Sequence, residues 1–311
     1  MPEAGESKKK IGLIVGREND WPTAFTAELE ARGSEATAEF VKLGGTYLDD
    51  RCRYPVIFDR MSHEIPYYRT YVKYAALNGA YIINNPFVWS ADNRFFGTVV
   101  ANRLGLKSPR TIVLPNKDTH AETVPDSFRN LEYPMNWEGI ADFIGVPAIF
   151  KEIRSGGRRL SFRVHSVDEL IQRYDESGTR TMILQELIQG GDHIHCLVID
   201  QENVLILQYS PEQNRYLPSL ELGYDTKTEL AENARSISRA YGYDINLIEF
   251  NHNDGELVVI NSTNPSPIID RQLFSEEQFD WIVTKSVDLA LERLNNPITQ
   301  RVPVNLLLSG S

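Results

Sequence analysis

Apolar positions along the chain fall at two spacings, and the alternation between them predicts the architecture. IGLIVG at 11–16 is a short apolar run bounded by glycines, the pattern of a buried parallel strand. A polar turn, Arg17 to Pro22, leads into the helical stretch FTAELEARG, which Gly33 closes. VIFD at 56–59 and YIINNP at 81–86 have strand character, and YYRTYVKYAALNG before the latter has helical character. Strands alternating with helices predict an α/β domain with a mostly parallel, Rossmann-like sheet over 1–113. Gly12 and Gly16 do not complete a GxGxxG fingerprint, so that stretch reads as a plain first strand and its turn.

The pattern then changes. Residues 116–140 are polar and irregular and fit a connector with some helix. VPAIFKEIRSGGRRLSFRVHS reads as strand, glycine turn and strand; the helix VDELIQRY and the strand TMILQELI at 181–188 complete an α+β unit. Residues 194–209 fit a hairpin turning near 201–203, followed by a helix at 228–241, a second hairpin through HNDGE, and a closing helix at 276–294. The expected division is 1–113, 114–193 and 194–308, with Ser309-Gly310-Ser311 an appended flexible scar.

Composition narrows the functional classes. Lys plus Arg is 32 against 43 Asp plus Glu, a net charge of −11, which argues against a duplex nucleic-acid surface but leaves room for a local basic pocket. No run approaches the ~20 apolar residues of a membrane span. Cys52 and Cys196 are the only cysteines, so neither a disulfide framework nor a Cys-rich zinc site is expected. The N-terminal apolar stretch is too short for a signal peptide, and the cytoplasm is the expected compartment.

Three segments carry candidate chemistry. Lys151 ends an apolar strand, five residues before Gly156-Gly157 and then Arg158-Arg159. A glycine turn lets backbone N–H groups approach an anion, with the lysine as a point charge and the arginines as forks. A hairpin with a solvated basic turn fits the same residues. QELIQGGDH at 185–193 puts acids and two glycines at a strand exit, suited to a purine edge and to ribose hydroxyls at Asp192, or to an ordinary surface turn. Glu249 and Asn261 lie on two strands joined by HNDG, close enough across a hairpin to offer hard oxygens to Mg²⁺, or to be plain polar residues around a turn. His193 and His195 share a strand face but lack a visible third metal ligand, and read as ordinary hydrogen-bonded histidines.

Taken in order, the strand-end lysine with its glycine loop, the QELI exit strand and the Glu249/Asn261 hairpin resemble the ATP-grasp superfamily, within it glutathione synthetase and the RimK-like ribosomal-protein glutamate ligases. The resemblance covers about residues 84–270 and extends to NNPFVWSADNRFF at 84–96, where Arg94 stands in place of a phosphate-binding lysine, and to RLGLKSPRTIVLP at 103–115. It implies a two-lobed ATP-grasp fold after the N-terminal domain. It further implies that Lys151 and Arg94 contact ATP phosphates, under a mobile loop containing Gly156 and Gly157. Glu186 and the Gln185 main chain would take the adenine amino group, the Leu187–Ile188 backbone the ring, and Asp192 the ribose. Glu249, where the family usually has Asp, and Asn261 would hold Mg²⁺. Arg158, Arg159 and Arg215 would serve the reacting phosphoryl group. The implied activity is ATP-dependent carboxylate–amine ligation through an acyl phosphate, on small-molecule or peptide substrates, with no nucleic-acid or membrane partner and a homodimer as the commonest assembly. Two departures stand out. VINSTNP at 259–265 has Val259 where the family has a shared acid, and SPEQNRYLPSLELG places Asn214 and Arg215 unusually. The second reading is a nucleotide-binding module without turnover.

Overall fold

The computed structural model describes residues 8–88, 93–119, 129–154, 160–219 and 221–302. The chain divides into two compact units, one formed by Met1–Trp89, His195–Leu247 and Pro265–Ser311, the other by Ser90–Ile194 and Ile248–Asn264.

The first unit begins with β1 (Lys9–Ile14), α1 (Asp20–Ala31), β2 (Ala36–Phe40), β3 (Val56–Asp59), α2 (Pro66–Leu77) and β4 (Tyr81–Ile83). The four strands make a parallel sheet in the order β2-β1-β3-β4, with Ile11 opposite Val56 and Ile57 opposite Ile82. The apolar run of β1 is buried from Ile11 onward, as expected of a parallel strand covered on both faces. Gly12 allows that covering: a Cβ there would meet Val41 Cγ2 at 2.7 Å and the Tyr54 ring at 3.0 Å. Along α1, Trp21, Phe25 and Leu29 recur every fourth residue, form one buried stripe and cluster with Phe58. β2, a mixed ATAEF segment, is a strand that the hydrophobic pattern did not reveal.

In the second unit come α3 (Arg94–Arg103), β5 (Thr111–Leu114), α4 (Trp137–Ile144), β6 (Ala148–Glu152), β7 (Ser161–Val164), α5 (Val167–Asp175) and β8 (Met182–Glu186). Their sheet runs β5-β8-β6-β7 and is antiparallel. The strand at 111–114, counted with the N-terminal sheet by the sequence pattern, pairs here with β8, Thr111 opposite Gln185. Leu114, Ile144, Phe150, Leu170 and Leu184 form the core under this sheet.

The chain continues through β9 (Asp192–Ile199), β10 (Asn203–Ser210), β11 (Arg215–Tyr216), α6 (Tyr224–Tyr241), β12 (Ile245–Asn253), β13 (Glu256–Asn261) and α7 (Glu276–Asn295). The β9–β10 turn takes Asp200 and Gln201 through positive φ, where the sequence placed it. In the first unit β10 pairs with β11, and α7 starts from a Ser275/Gln278 capping box and packs on α1. In the second unit β12 pairs antiparallel with β13. Among the described residues, no helix is long and apolar enough to cross a membrane.

Candidate functional site

The second unit assembles six polar side chains from six elements. Lys151 lies on β6 opposite Ile183 of β8, so Gln185, two residues further along β8, shares its face on the diagonal. Lys151 Nζ donates to Gln185 Oε1 at 2.7 Å. Gln185 is buried, and its Nε2 donates to Thr111 Oγ1 on β5 at 3.1 Å. Arg94 opens α3; its backbone N–H donates to the Ile153 carbonyl (2.9 Å) and its Nη1 to the Glu152 carbonyl (3.3 Å), which anchors it beside the end of β6. Glu249 on β12 stands directly opposite Asn261 on β13, and Asn261 Nδ2 donates to Glu249 Oε1 at 3.1 Å.

Burial, reinforced by the like charge of Arg94, pushes the Lys151 ammonium down to about 8, while Glu249 pulls it back up. The site therefore gathers two cations and an acid–amide pair of hard oxygens. Lys151 and Arg94, brought together at the end of β6, suit a polyanion. A carboxylate and an amide oxygen suit a divalent cation that draws the rest of its shell from water and phosphate, which is how Mg²⁺ usually binds. Among the described residues, no cluster of three or more His, Cys, Asp or Glu side chains is placed to hold a metal. The Glu249–Asn261 pair fits Mg²⁺ shared with a phosphate ligand, and does not form a complete protein cage.

The register also places Val259. One step along β12, from Glu249 to Phe250, spans two along β13, from Asn261 to Val259. Val259 therefore opposes Phe250, on the face away from Glu249, with 4% exposure and its N–H bonded to the Lys107 carbonyl.

Past Gln185 the strand ends at Glu186, whose carboxylate accepts from Arg110 Nη2 (2.9 Å), Nε (3.2 Å) and the Arg110 N–H (3.1 Å). Arg110 holds Glu186 below the usual carboxylate range. Leu187 and Ile188 follow as half-buried loop residues, and Asp192 is exposed at the start of β9. The loop between is tied to β12 by Asn251 Nδ2, which donates to the Gly190 carbonyl at 2.9 Å. Gly191 sits at φ +75°, and a Cβ there would come within 2.6 Å of the His252 carbonyl.

Other expected site residues lie elsewhere. Gly156, Gly157, Arg158 and Arg159 fall outside the described residues. Arg215 is exposed on β11 in the other unit. His195 is an ordinary hydrogen-bonded residue, with Nδ1 3.0 Å from Tyr216 Oη and its ring stacked on Tyr209 at 5.0 Å. The sequence reading missed Arg110 and Thr111, although the Pro-x-Thr segment that carries them was in view; their partners appear only once β5 is paired with β8.

No protein-family model and no curated protein sequence matches the chain. Solved structures do. A RimK-domain ATP-grasp protein from Sphaerobacter thermophilus matches with a TM-score of 0.66 at 16% identity, over 91% of this chain and 99% of that one. D-alanine–D-alanine ligase from Bacillus anthracis, complexed with ATP, matches at 0.63 and 15%, over 93% and 99%. The macrocyclase MdnC from Microcystis aeruginosa, bound to its precursor peptide MdnA, matches at 0.58 and 13%, over 91% and 99%. The chain has the ATP-grasp fold, and its candidate site is built on that fold's strands.

Proposed function

We propose that the protein is an ATP-dependent carboxylate–amine ligase. The observation that carries this reading is the grouping of Lys151 and Arg94 with the Glu249–Asn261 pair in one unit of an ATP-grasp fold. Structural neighbours solved with ATP, or with ADP, Mg and a minimal precursor, support it. Lys151 and Arg94 would bind the phosphates. Glu249 and Asn261 would hold Mg²⁺, which neutralises phosphate charge when bound. The Leu187–Ile188 backbone would meet the adenine ring, with Glu186 presenting to the amino group the acceptor capacity that Arg110 leaves, and Asp192 would take the ribose. The loop with Gly156, Gly157, Arg158 and Arg159 would close over the phosphates, and Arg215 would serve the acyl phosphate.

In this chemistry a substrate carboxylate attacks the γ-phosphate and ADP leaves. An amine then attacks the acyl phosphate, forming the amide, releasing inorganic phosphate and losing a proton. Positioning and charge neutralisation supply the catalysis, without a protein nucleophile. The proposed setting is the cytoplasm, with small-molecule or peptide substrates and a homodimer as the assembly.

The register at Val259 favours a second reading, a nucleotide-binding module without turnover: the position where the family has an acid opposes Phe250, away from Glu249, and supplies no ligand to the cation pair. Screening amino acids and short peptides for release of ADP and phosphate with ATP and Mg²⁺ separates the two. Substrate-dependent release is the ligase result; ATP binding without release for any acceptor supports the module.

A further inference from the structure

We infer that Thr111 is a positioning residue for Lys151: its hydroxyl fixes which end of the Gln185 amide faces the lysine. Thr111 Oγ1 donates its single proton to the Pro109 carbonyl at 2.9 Å. Toward Gln185 the hydroxyl is therefore an acceptor, and the amide must turn Nε2 to it, at 3.1 Å. That choice leaves Oε1 for Lys151 Nζ at 2.7 Å. The reversed amide would set an NH₂ against an ammonium, donor facing donor, beside the further positive charge of Arg94. Gln185 is 3% exposed, so solvent offers little substitute for either bond.

The relay Pro109–Thr111–Gln185–Lys151 thus begins at a carbonyl fixed in the backbone and ends at an ammonium with two protons still to offer. It aims a long, flexible side chain that would otherwise lose rotamer freedom on meeting its ligand. This inference rests on the reading that Lys151 contacts nucleotide phosphates, and it adds a role for a residue that touches neither nucleotide nor lysine.

The test uses the full chain, with Thr111→Val and Thr111→Ser. Valine keeps the β-branched shape and strand preference but offers no acceptor, while serine restores the hydroxyl. Calorimetry with ATP and with adenosine separates an effect at the phosphates from a general disturbance of the site. We expect Thr111→Val to weaken ATP by about fivefold, the value of one ordinary hydrogen bond, to leave adenosine unchanged, and to be rescued by Thr111→Ser. Gln185→Met, which removes both ends of the relay, should weaken ATP by at least as much, and adding Thr111→Val to it should cost nothing further. Gln185→Met thereby tests the relay even where Thr111→Val fails to fold. Unchanged ATP affinity in Thr111→Val, equal loss of ATP and adenosine, or additive loss in the double variant would each overturn the inference while leaving the nucleotide reading intact. If the wild-type chain binds no ATP at all, that reading falls and takes this inference with it.

Discussion

Charge is buried in both compact units, but it is completed differently in each. In the first unit, Arg293 pairs with Asp200 and with Asp244 (3.1 Å), and Tyr81 donates to Asp244 at 2.9 Å. Arg60, also buried, forks onto Glu18 through Nε and Nη2, both at 2.5 Å, and lies over the Trp21 ring. These cations are matched by carboxylates, and the pairs join segments distant in sequence. In the second unit, Lys151 has an uncharged amide as its hydrogen-bond partner, with Arg94 and Glu249 as charged neighbours. Removing one partner of a matched buried pair strands the other; a cation whose hydrogen-bond partner is neutral is suited to an anion that arrives later.

The difference predicts opposite outcomes. Arg293→Ala should be the most damaging change, costing about 3–5 kcal/mol in denaturant unfolding, because it strands the buried Asp244 carboxylate. A loss below about 1 kcal/mol would mean that the network is not the matched structural pair described here.

Val259→Glu comes next. Val259 opposes Phe250, so a carboxylate there would be buried away from Glu249 and should cost about 2 kcal/mol or more. Thermal unfolding across a Mg²⁺ titration checks this. Recovery of stability by Mg²⁺ would show that the residue reaches the cation site, and would place β13 in a different register.

A smaller effect concerns protons. Because burial, and after it Arg94, hold the Lys151 ammonium near 8 in the free protein against the pull of Glu249, a phosphate ligand should restore its proton. Nucleotide affinity should therefore fall as pH rises through about 8 toward 10, and binding in that window should take up a fraction of one proton. Calorimetry in buffers of different ionisation enthalpy measures the uptake; none at pH 9 would contradict the perturbed lysine. The sign for folding is the reverse. A lowered lysine contributes least to stability below 8, and that deficit lifts as pH rises from about 8 toward the ordinary lysine value, so stability gains over the range where affinity declines.

How much could be read from the sequence follows from what each feature depends on. β6, β8 and the β12–β13 hairpin contain apolar runs of strand length; Lys151 and Asn261 sit at or near strand ends and Glu249 follows the mostly apolar stretch 245–248 in mid-strand, so position along the chain was enough to find them. α3 was not read as a helix, because RFFGTVVANR mixes aromatic, β-branched and glycine residues of weak helix propensity. Its helicity comes from the Asn93 cap and from packing, with Gly97 and Ala101 buried. β5 looked like the next strand of an alternating βα series, and only its long-range pairing with β8 assigns it to the second unit. Thr111 and Arg110 were invisible as site residues for the same reason, since each acts on a side chain more than seventy positions away. The bulge that turns Val259 from Glu249 is likewise a property of register, which a strand pattern cannot specify.

The central claim is that Lys151 is held for phosphate, and ATP calorimetry on wild type and Lys151→Met tests it most directly. Methionine keeps a flexible, unbranched apolar stem and removes the ammonium with its charge and its donors. The account predicts that ATP affinity falls by about 10- to 100-fold, the worth of a charge-assisted hydrogen bond at a sheltered site, while the folded protein is at least as stable as wild type at neutral pH. Equal ATP affinity in the two proteins would contradict it.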